Sequence, residues 1–149
     1  MAKKELLVTV RIDGIRETLA ALAKLPKEAN DELRAAALEI SKELSEAAKQ
    51  AGEREGGQAA LVATTVKRRR DRVPVVVAGG TKKLGRNRAP AYKLLFGSEF
   101  GANYYEQYRP HLGRGSYWFF QSIEAEQATI AKKWLDAADA IIAKFDGVG

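Results

Sequence analysis

The chain has 149 residues, 46% hydrophobic and 30% charged, which predicts one folded domain over residues 1–149. It has no cysteine and one histidine, which excludes disulfides and thiolate chemistry and leaves no metal-ligand spacing, so we expect no cofactor and no metal. The net charge of +6 is concentrated, because residues 67–93 hold ten basic residues and one acidic residue.

The N-terminal third predicts a strand and two helices. Apolar residues alternate at every second position over residues 6–12, which is typical of a half-buried strand. After a DG turn, helical spacing predicts a short helix that ends before Pro26, because a residue that precedes proline avoids helical backbone. A longer apolar stripe then predicts a long helix from Pro26 to near Gly52.

Two properties of the sequence bear on location. The N-terminus lacks the apolar block and the cleavage site of a secretory signal. The apolar runs are much shorter than the roughly 20 residues that span a bilayer. We therefore expect no membrane contact and a location in the cytoplasm where the protein is made.

The middle of the chain predicts a strand pair. Residues 59–69, AALVATTVKRR, favour one strand, residues 72–80 favour its partner, and RRRD is the turn between them. Pro74 lacks a backbone N–H, so we expect it at a strand start or a sheet edge. Residues 79–89, GGTKKLGRNRA, have no apolar period and are interpreted as a mobile loop.

The C-terminal third ends in a predicted helix. Residues 90–101, PAYKLLFGSEFG, indicate either a short helix or a strand that ends in a glycine turn. From Ser116 onward, apolar residues at steps of three and four predict a helix of about seven turns. The predicted fold class is α+β, with an antiparallel sheet of three to four strands packed against the long N-terminal-half helix and the long C-terminal helix.

The sequence offers no convincing catalytic site. His111 lies in a glycine-flanked stretch without a partner that would form a metal site or a catalytic triad, so we interpret it as a bystander. Residues 80–87, GTKKLGRN, have the glycines of a phosphate loop, but Arg86 and Asn87 stand where a lysine and a hydroxyl residue are needed. We expect no catalysed reaction.

The basic segment 67–93 is the strongest chemical signal. Its cations are predicted at the tips of a hairpin and of the loop that follows, where they can neutralise phosphates or an acidic protein surface. Residues 67–91 contain no aromatic residue to stack on bases, which argues against a single-strand platform. A solvated charged surface is the alternative interpretation. The candidate residues are Lys67, Arg68, Arg69, Arg70, Arg72, Lys82, Lys83, Arg86 and Arg88.

Three stretches resemble the small tail-completion or head-tail connector proteins of long-tailed bacteriophages. They are LPKEANDELRAAALEISKELSEAAKQAG at 25–52, LLFGSEFGAN at 94–103 and YRPHLGRGSYWFFQSIE at 108–124. The last two are similar to the family's "VEFGT"-like turn and to the "PFLRPAL"-like opening of its final helix. The chain departs from the family at 51–66, where an "APVDTGRLRDSI"-like stretch is common.

The resemblance implies a structural virion protein without enzymatic activity. It implies a homo-oligomeric ring, six-fold in the family, at the head-tail junction around the DNA path. The implied partners are further copies of the chain, head-completion or stopper proteins, tail terminator or tail tube proteins, and genomic DNA through non-specific contacts. The implied location is the virion, with assembly in the host cytoplasm. A nucleic-acid-binding module that uses residues 67–93 is the alternative, and a small antitoxin-like interaction protein is a third.

The candidates for the subunit interface lie in the stretch that carries the resemblance. Successive residues of a helix point about 100° apart, so the aromatic run at 117–120 cannot face one core, and we expect at least one of its members at a subunit boundary. The interface candidates are Phe96, Glu99, Phe100, Tyr104, Tyr105, Tyr117, Trp118 and Phe119.

Overall fold

The computed structural model describes residues 5–102, 108–109 and 116–146. This part of the chain forms five helices and two antiparallel sheets, which confirms the α+β class. In chain order the elements are β1 (Glu5–Thr9), α1 (Ile15–Ala23), α2 (Lys27–Glu55), α3 (Gly57–Ala63), β2 (Lys67–Arg68), β3 (Val75–Gly79), β4 (Lys83–Leu84), β5 (Ala89–Pro90), α4 (Ala91–Phe100) and α5 (Phe119–Asp146).

The two long helices, α2 and α5, form the main packing interface of the core. Leu33 and Leu44 of α2 and Trp134 of α5 are fully buried, as their three- and four-residue spacing predicts. Polar pairs join the rims of the two helices, for example Lys133 Nζ with Glu43 Oε2 at 2.5 Å. The predicted start of α2 after Pro26 is confirmed, but the helix continues through Gly52 to Glu55.

The main sheet has the strand order β1-β3-β2, so β3 is its central strand. Leu6 pairs with Ala78 and Val8 with Val76, and these side chains face the helices, whereas Leu7 points outward and is 48% exposed. Pro74 lies immediately before β3, so its missing N–H falls at a strand start, as predicted.

The strand predicted at 59–69 is wrong for most of its length. Residues 57–63 form α3, and only Lys67 and Arg68 pair with β3. Ala59, Val62 and Ala63 are buried at helical spacing, which an apolar run this short does not distinguish from a strand pattern. The helix ends where two threonine hydroxyls donate to carbonyl groups three residues earlier, Thr64 to Leu61 at 2.7 Å and Thr65 to Val62 at 2.7 Å.

The close approach of α3 to α2 depends on Gly52. A Cβ atom at this position would lie 2.9 Å from the Ala63 Cβ atom, 3.0 Å from the Trp118 ring and 3.1 Å from the Ala59 carbonyl oxygen. Only a residue without a side chain allows the two helix backbones to pack at this distance.

The loop predicted at 79–89 is also corrected, because part of it is a small hairpin. Lys83 pairs with Pro90 and Leu84 with Ala89. Gly85 has a φ of 73° and Arg88 a φ of 53°, so the turn contains two residues with left-handed backbone. Of the two, only the glycine is a residue type from which this conformation can be predicted. Of the two alternatives for residues 90–101, the helix is observed as α4.

Within the described ranges, no helix combines the length and the apolar character that a membrane crossing requires.

Candidate functional site

Glu99, at the C-terminal end of α4, caps the N-terminus of α5. Its Oε1 accepts hydrogen bonds from the backbone N–H of Trp118 (3.0 Å) and Phe119 (2.8 Å) and from the Ser116 hydroxyl (2.8 Å). Its Oε2 accepts from the backbone N–H of Phe120 at 2.6 Å. A carboxylate at this position satisfies N–H groups that have no partner within the helix and interacts favourably with the helix dipole.

The same contacts fix the chain direction at the start of α5. The Tyr117 N–H donates to the main-chain carbonyl of Glu99 at 2.8 Å, and the Trp118 indole N–H donates to the Ser98 hydroxyl at 3.1 Å. The end of α4 and the start of α5 therefore form a joint that is built around one carboxylate.

This joint corrects three of the interface candidates. Glu99 and Phe119 are 0% exposed and Trp118 is 2% exposed, so their side chains belong to the core of the chain. The aromatic run straddles the helix start, where Trp118 and Phe119 both reach the core. The expectation that at least one of Tyr117, Trp118 and Phe119 lies at a subunit boundary remains a prediction. Tyr117 is half-buried, and the Arg109 guanidinium lies 4.8 Å from its ring centroid. Of Tyr117, Trp118 and Phe119, Tyr117 is thus the residue that can reach another subunit.

Two other interface candidates, Phe96 and Phe100, are brought together on the outer side of α4. Their rings stack with centroids 6.0 Å apart and planes 17° apart. They line a cavity of about 740 Å³ between α3, α4 and the β4–β5 hairpin, which we call the aromatic groove. Phe96 is 43% exposed there. The groove lining also includes Leu61, Leu84, Arg86, Tyr92, Lys93, Gly97 and Tyr108.

One wall of the aromatic groove requires a glycine. A Cβ atom at Gly97 would overlap the ring of Tyr108, so the glycine allows that ring to lie against α4. Tyr92 and Tyr108 were not among the sequence candidates. The spacing of Tyr92, Phe96 and Phe100, four residues apart, is the signal that would have found Tyr92 if residues 91–100 had been assigned as a helix.

Comparison with known proteins finds no matching family model, no similar curated protein and no similar solved structure.

The predicted basic candidates do not form a single patch. Arg68 Nη1 lies 3.7 Å from a Glu39 carboxylate oxygen, and Arg69 Nη2 lies 3.4 Å from Glu5 Oε2, so two of the nine bases have carboxylate partners. The main-chain carbonyl of Arg72 accepts the Trp134 indole N–H at 2.7 Å, which attaches the β2–β3 turn to α5.

The remaining bases divide among three places. Arg70 is exposed in the β2–β3 turn, whereas Lys83, Arg86 and Arg88 are exposed on the β4–β5 hairpin, with Arg86 at the rim of the aromatic groove. Lys67 and Lys82 line a separate polar cleft together with Lys49 of α2, a residue that the sequence analysis did not single out.

Three residues that the sequence analysis singled out, Tyr104, Tyr105 and His111, lie outside the described residues. Among the residues described, no group of three histidine, aspartate or glutamate side chains is arranged to hold a metal ion.

Proposed function

We propose that this protein is a non-enzymatic structural component of a bacteriophage head-tail junction that assembles into a ring around the DNA path. In this proposal the aromatic groove of one copy receives the exposed face of β1 from the next copy. The exposure of Phe96 within the groove is the observation that carries the proposal, because a large apolar side chain at the edge of an apolar groove is typical of an interaction site.

The choice of occupant rests on the second exposed apolar residue. Leu7 and Phe96 are the large hydrophobic side chains that the described part of the chain leaves exposed. They lie on different elements, an edge strand and α4. A contact between two different patches is heterologous, and repeated heterologous contacts close into a ring when the rotation between copies permits.

The resemblance adds support for the place of the ring. The stretch similar to the connector family at 94–124 contains the Glu99 joint and one wall of the aromatic groove. The proposed neighbours are head-completion or stopper proteins on one side and tail terminator or tail tube proteins on the other. The exposed bases of the two hairpins would face a neighbouring layer or the DNA.

A pair of charge substitutions tests the contact. We expect Phe96→Glu and Leu7→Glu each to abolish concentration-dependent assembly in sedimentation velocity, because each places a carboxylate in an apolar contact. An equimolar mixture of the two variants retains one intact groove and one intact β1 face, so it should form dimers but no rings. Ala128→Glu, an exposed position of α5, is the matched control and should assemble as the unaltered chain does.

Two results would contradict the proposal. Assembly unaffected by either substitution would remove the groove from the interface, and a chain that stays monomeric at all concentrations and with purified connector partners would remove the ring. The nucleic-acid-binding alternative is favoured by one observation. Within the described residues, seven of the nine basic candidates have no carboxylate within 4.0 Å.

A further inference from the structure

A polar cleft lies between the second half of α2, the connection from α3 to β2 and the end of β3. It has a volume of about 470 Å³ and is lined by three exposed lysines, so we call it the lysine cleft. Its lining residues are Glu5, Lys49, Thr64, Thr65, Val66, Lys67, Ala78, Gly79, Gly80, Thr81 and Lys82.

The backbone brings these three lysines together from distant parts of the sequence. Gly79 and Gly80 have φ values of 90° and 95°, which turn the chain sharply after β3 and carry Lys82 back towards β2. The Gly79 N–H donates to the Thr65 hydroxyl at 2.8 Å and holds this turn against the end of α3. Lys67 is the first residue of β2, and Lys49 reaches the cleft from α2.

The charges of the lysine cleft are uncompensated within the described residues. Lys49, Lys67 and Lys82 have no carboxylate oxygen within 4.0 Å in that part of the chain. The acidic residue of the lining is Glu5, and its Oε2 already contacts Arg69 at 3.4 Å. Three like charges around one cavity repel one another, so this arrangement is stabilised by an anion that enters it.

We propose that the lysine cleft binds a phosphate group. A free phosphate or a phosphate monoester carries more charge than a carboxylate and has at least three acceptor oxygens, whereas a polynucleotide supplies one charge at each of several neighbouring phosphodiesters. Either can therefore compensate three lysines. Lysine serves as a point charge for phosphates, whereas a planar carboxylate is best matched by the paired N–H groups of arginine. The phosphate can come from a polynucleotide backbone or from a free phosphate or nucleotide. This inference does not depend on ring assembly.

The test compares two triple substitutions that remove the same charge. The cleft variant carries Lys49→Gln, Lys67→Gln and Lys82→Gln. The control carries Arg16→Gln, Lys24→Gln and Lys42→Gln, three exposed basic residues that do not line the cleft and have no carboxylate partner in the described part of the chain. Circular dichroism in sodium chloride checks that both variants fold, and sedimentation velocity records assembly separately.

The first measurement is thermal unfolding in sodium phosphate against sodium chloride at equal ionic strength. We expect phosphate to raise the Tm of the unaltered chain and of the control by about 3 °C at saturating concentrations, and to leave the cleft variant unchanged. In chloride the cleft variant should be no less stable than the control, because its mutual repulsion has been removed.

The second measurement identifies the source of the phosphate. A fluorescently labelled 20-base-pair duplex is titrated by anisotropy over a series of salt concentrations. If the source is a polynucleotide, the cleft variant binds the duplex roughly tenfold more weakly than the control. The slope of its log binding constant against log salt concentration then falls in magnitude by about one for each lost phosphate contact. If both variants bind the duplex equally while phosphate stabilises only the control, the source is a free phosphate or nucleotide.

Three results would overturn the phosphate site. They are an equal loss of phosphate stabilisation in the two triple variants, no stabilisation of the unaltered chain together with equal duplex binding, and stabilisation by polyglutamate where phosphate has no effect. The last result would assign the lysine cleft to an acidic protein surface. None of these three results depends on assembly, so they test the phosphate site independently of the proposed ring.

Discussion

Replacing Glu99 with glutamine removes one carboxylate oxygen from the joint between α4 and α5 and leaves the shape of the side chain almost unchanged. With the amide oxygen at the Oε1 position, the acceptor for Trp118, Phe119 and Ser116 remains. The amide NH₂ then faces the Phe120 N–H, which loses its 2.6 Å bond and meets a second donor beside the fully buried Glu99 side chain.

The expected cost follows from these contacts. A hydrogen bond to a charged group contributes about 1.5–3 kcal/mol, and a buried donor without an acceptor costs about 1–3 kcal/mol. Because the two terms overlap, we expect Glu99→Gln to lower the free energy of unfolding by about 2–4 kcal/mol. That is a large part of the roughly 5–15 kcal/mol typical of a domain.

The assay is urea unfolding followed by circular dichroism and by tryptophan fluorescence. Trp118 lies at the joint, so fluorescence reports on the same region as the substitution. Glu124→Gln, which removes an exposed carboxylate from the first half of α5, is the control and should change stability by less than about 0.5 kcal/mol. A double-mutant cycle with Ser116→Ala measures the coupling across the 2.8 Å contact.

A change below about 0.5 kcal/mol for Glu99→Gln, with an unchanged slope of the unfolding curve, would refute the argument that this carboxylate holds the start of α5. It would mean that the N–H groups of the first turn do not depend on the charge of this carboxylate, although Glu99 is fully buried beside them.

Two further substitutions test the core. Ser41→Ala should lower the free energy of unfolding, measured in urea, by about 1–3 kcal/mol, because the buried Ser41 hydroxyl accepts the Val75 N–H at 3.0 Å. Ser45→Ala is the control and should cost less, because the Ser45 hydroxyl donates to a carbonyl of its own helix. Equal losses of stability in the two variants would contradict this. Gly52→Ala should lower the free energy of unfolding by about 1–3 kcal/mol, and with it the Tm, because the new Cβ atom would lie 2.9 Å from the Ala63 Cβ atom. An unchanged Tm would mean that α3 moves away from α2 without cost.

The two long helices could be predicted from the sequence because their apolar stripes run for many turns. The apolar stripe of α2 keeps its helical period from Ala29 to Ala51, and a strand would not bring these residues to one buried face. The run at 59–66 is too short and too rich in alanine, valine and threonine for its period to decide between helix and strand. Its structure is decided by packing against Gly52, a contact outside the run.

The candidate sites show the same division between local and distant contacts. Phe96 and Phe100 lie one helical turn apart, so their grouping follows from α4 itself. The capping role of Glu99 was missed because helix-capping rules look within three or four residues of the helix start, and this carboxylate lies about twenty residues upstream. Lys49 was missed because no local pattern relates a residue of α2 to the turn after β3.

The distance in sequence between Glu99 and the helix that it caps has a consequence for how such a chain can evolve. In most helices the start is set by the preceding few residues, so an insertion there moves or weakens the helix. Here the start of α5 is anchored to a carboxylate on α4, through the backbone N–H groups of Trp118, Phe119 and Phe120. We therefore expect a change of length between Glu99 and Ser116 to leave these contacts, and with them the orientation of α5, in place. A chain built in this way can change its connection between α4 and α5 and keep the same scaffold.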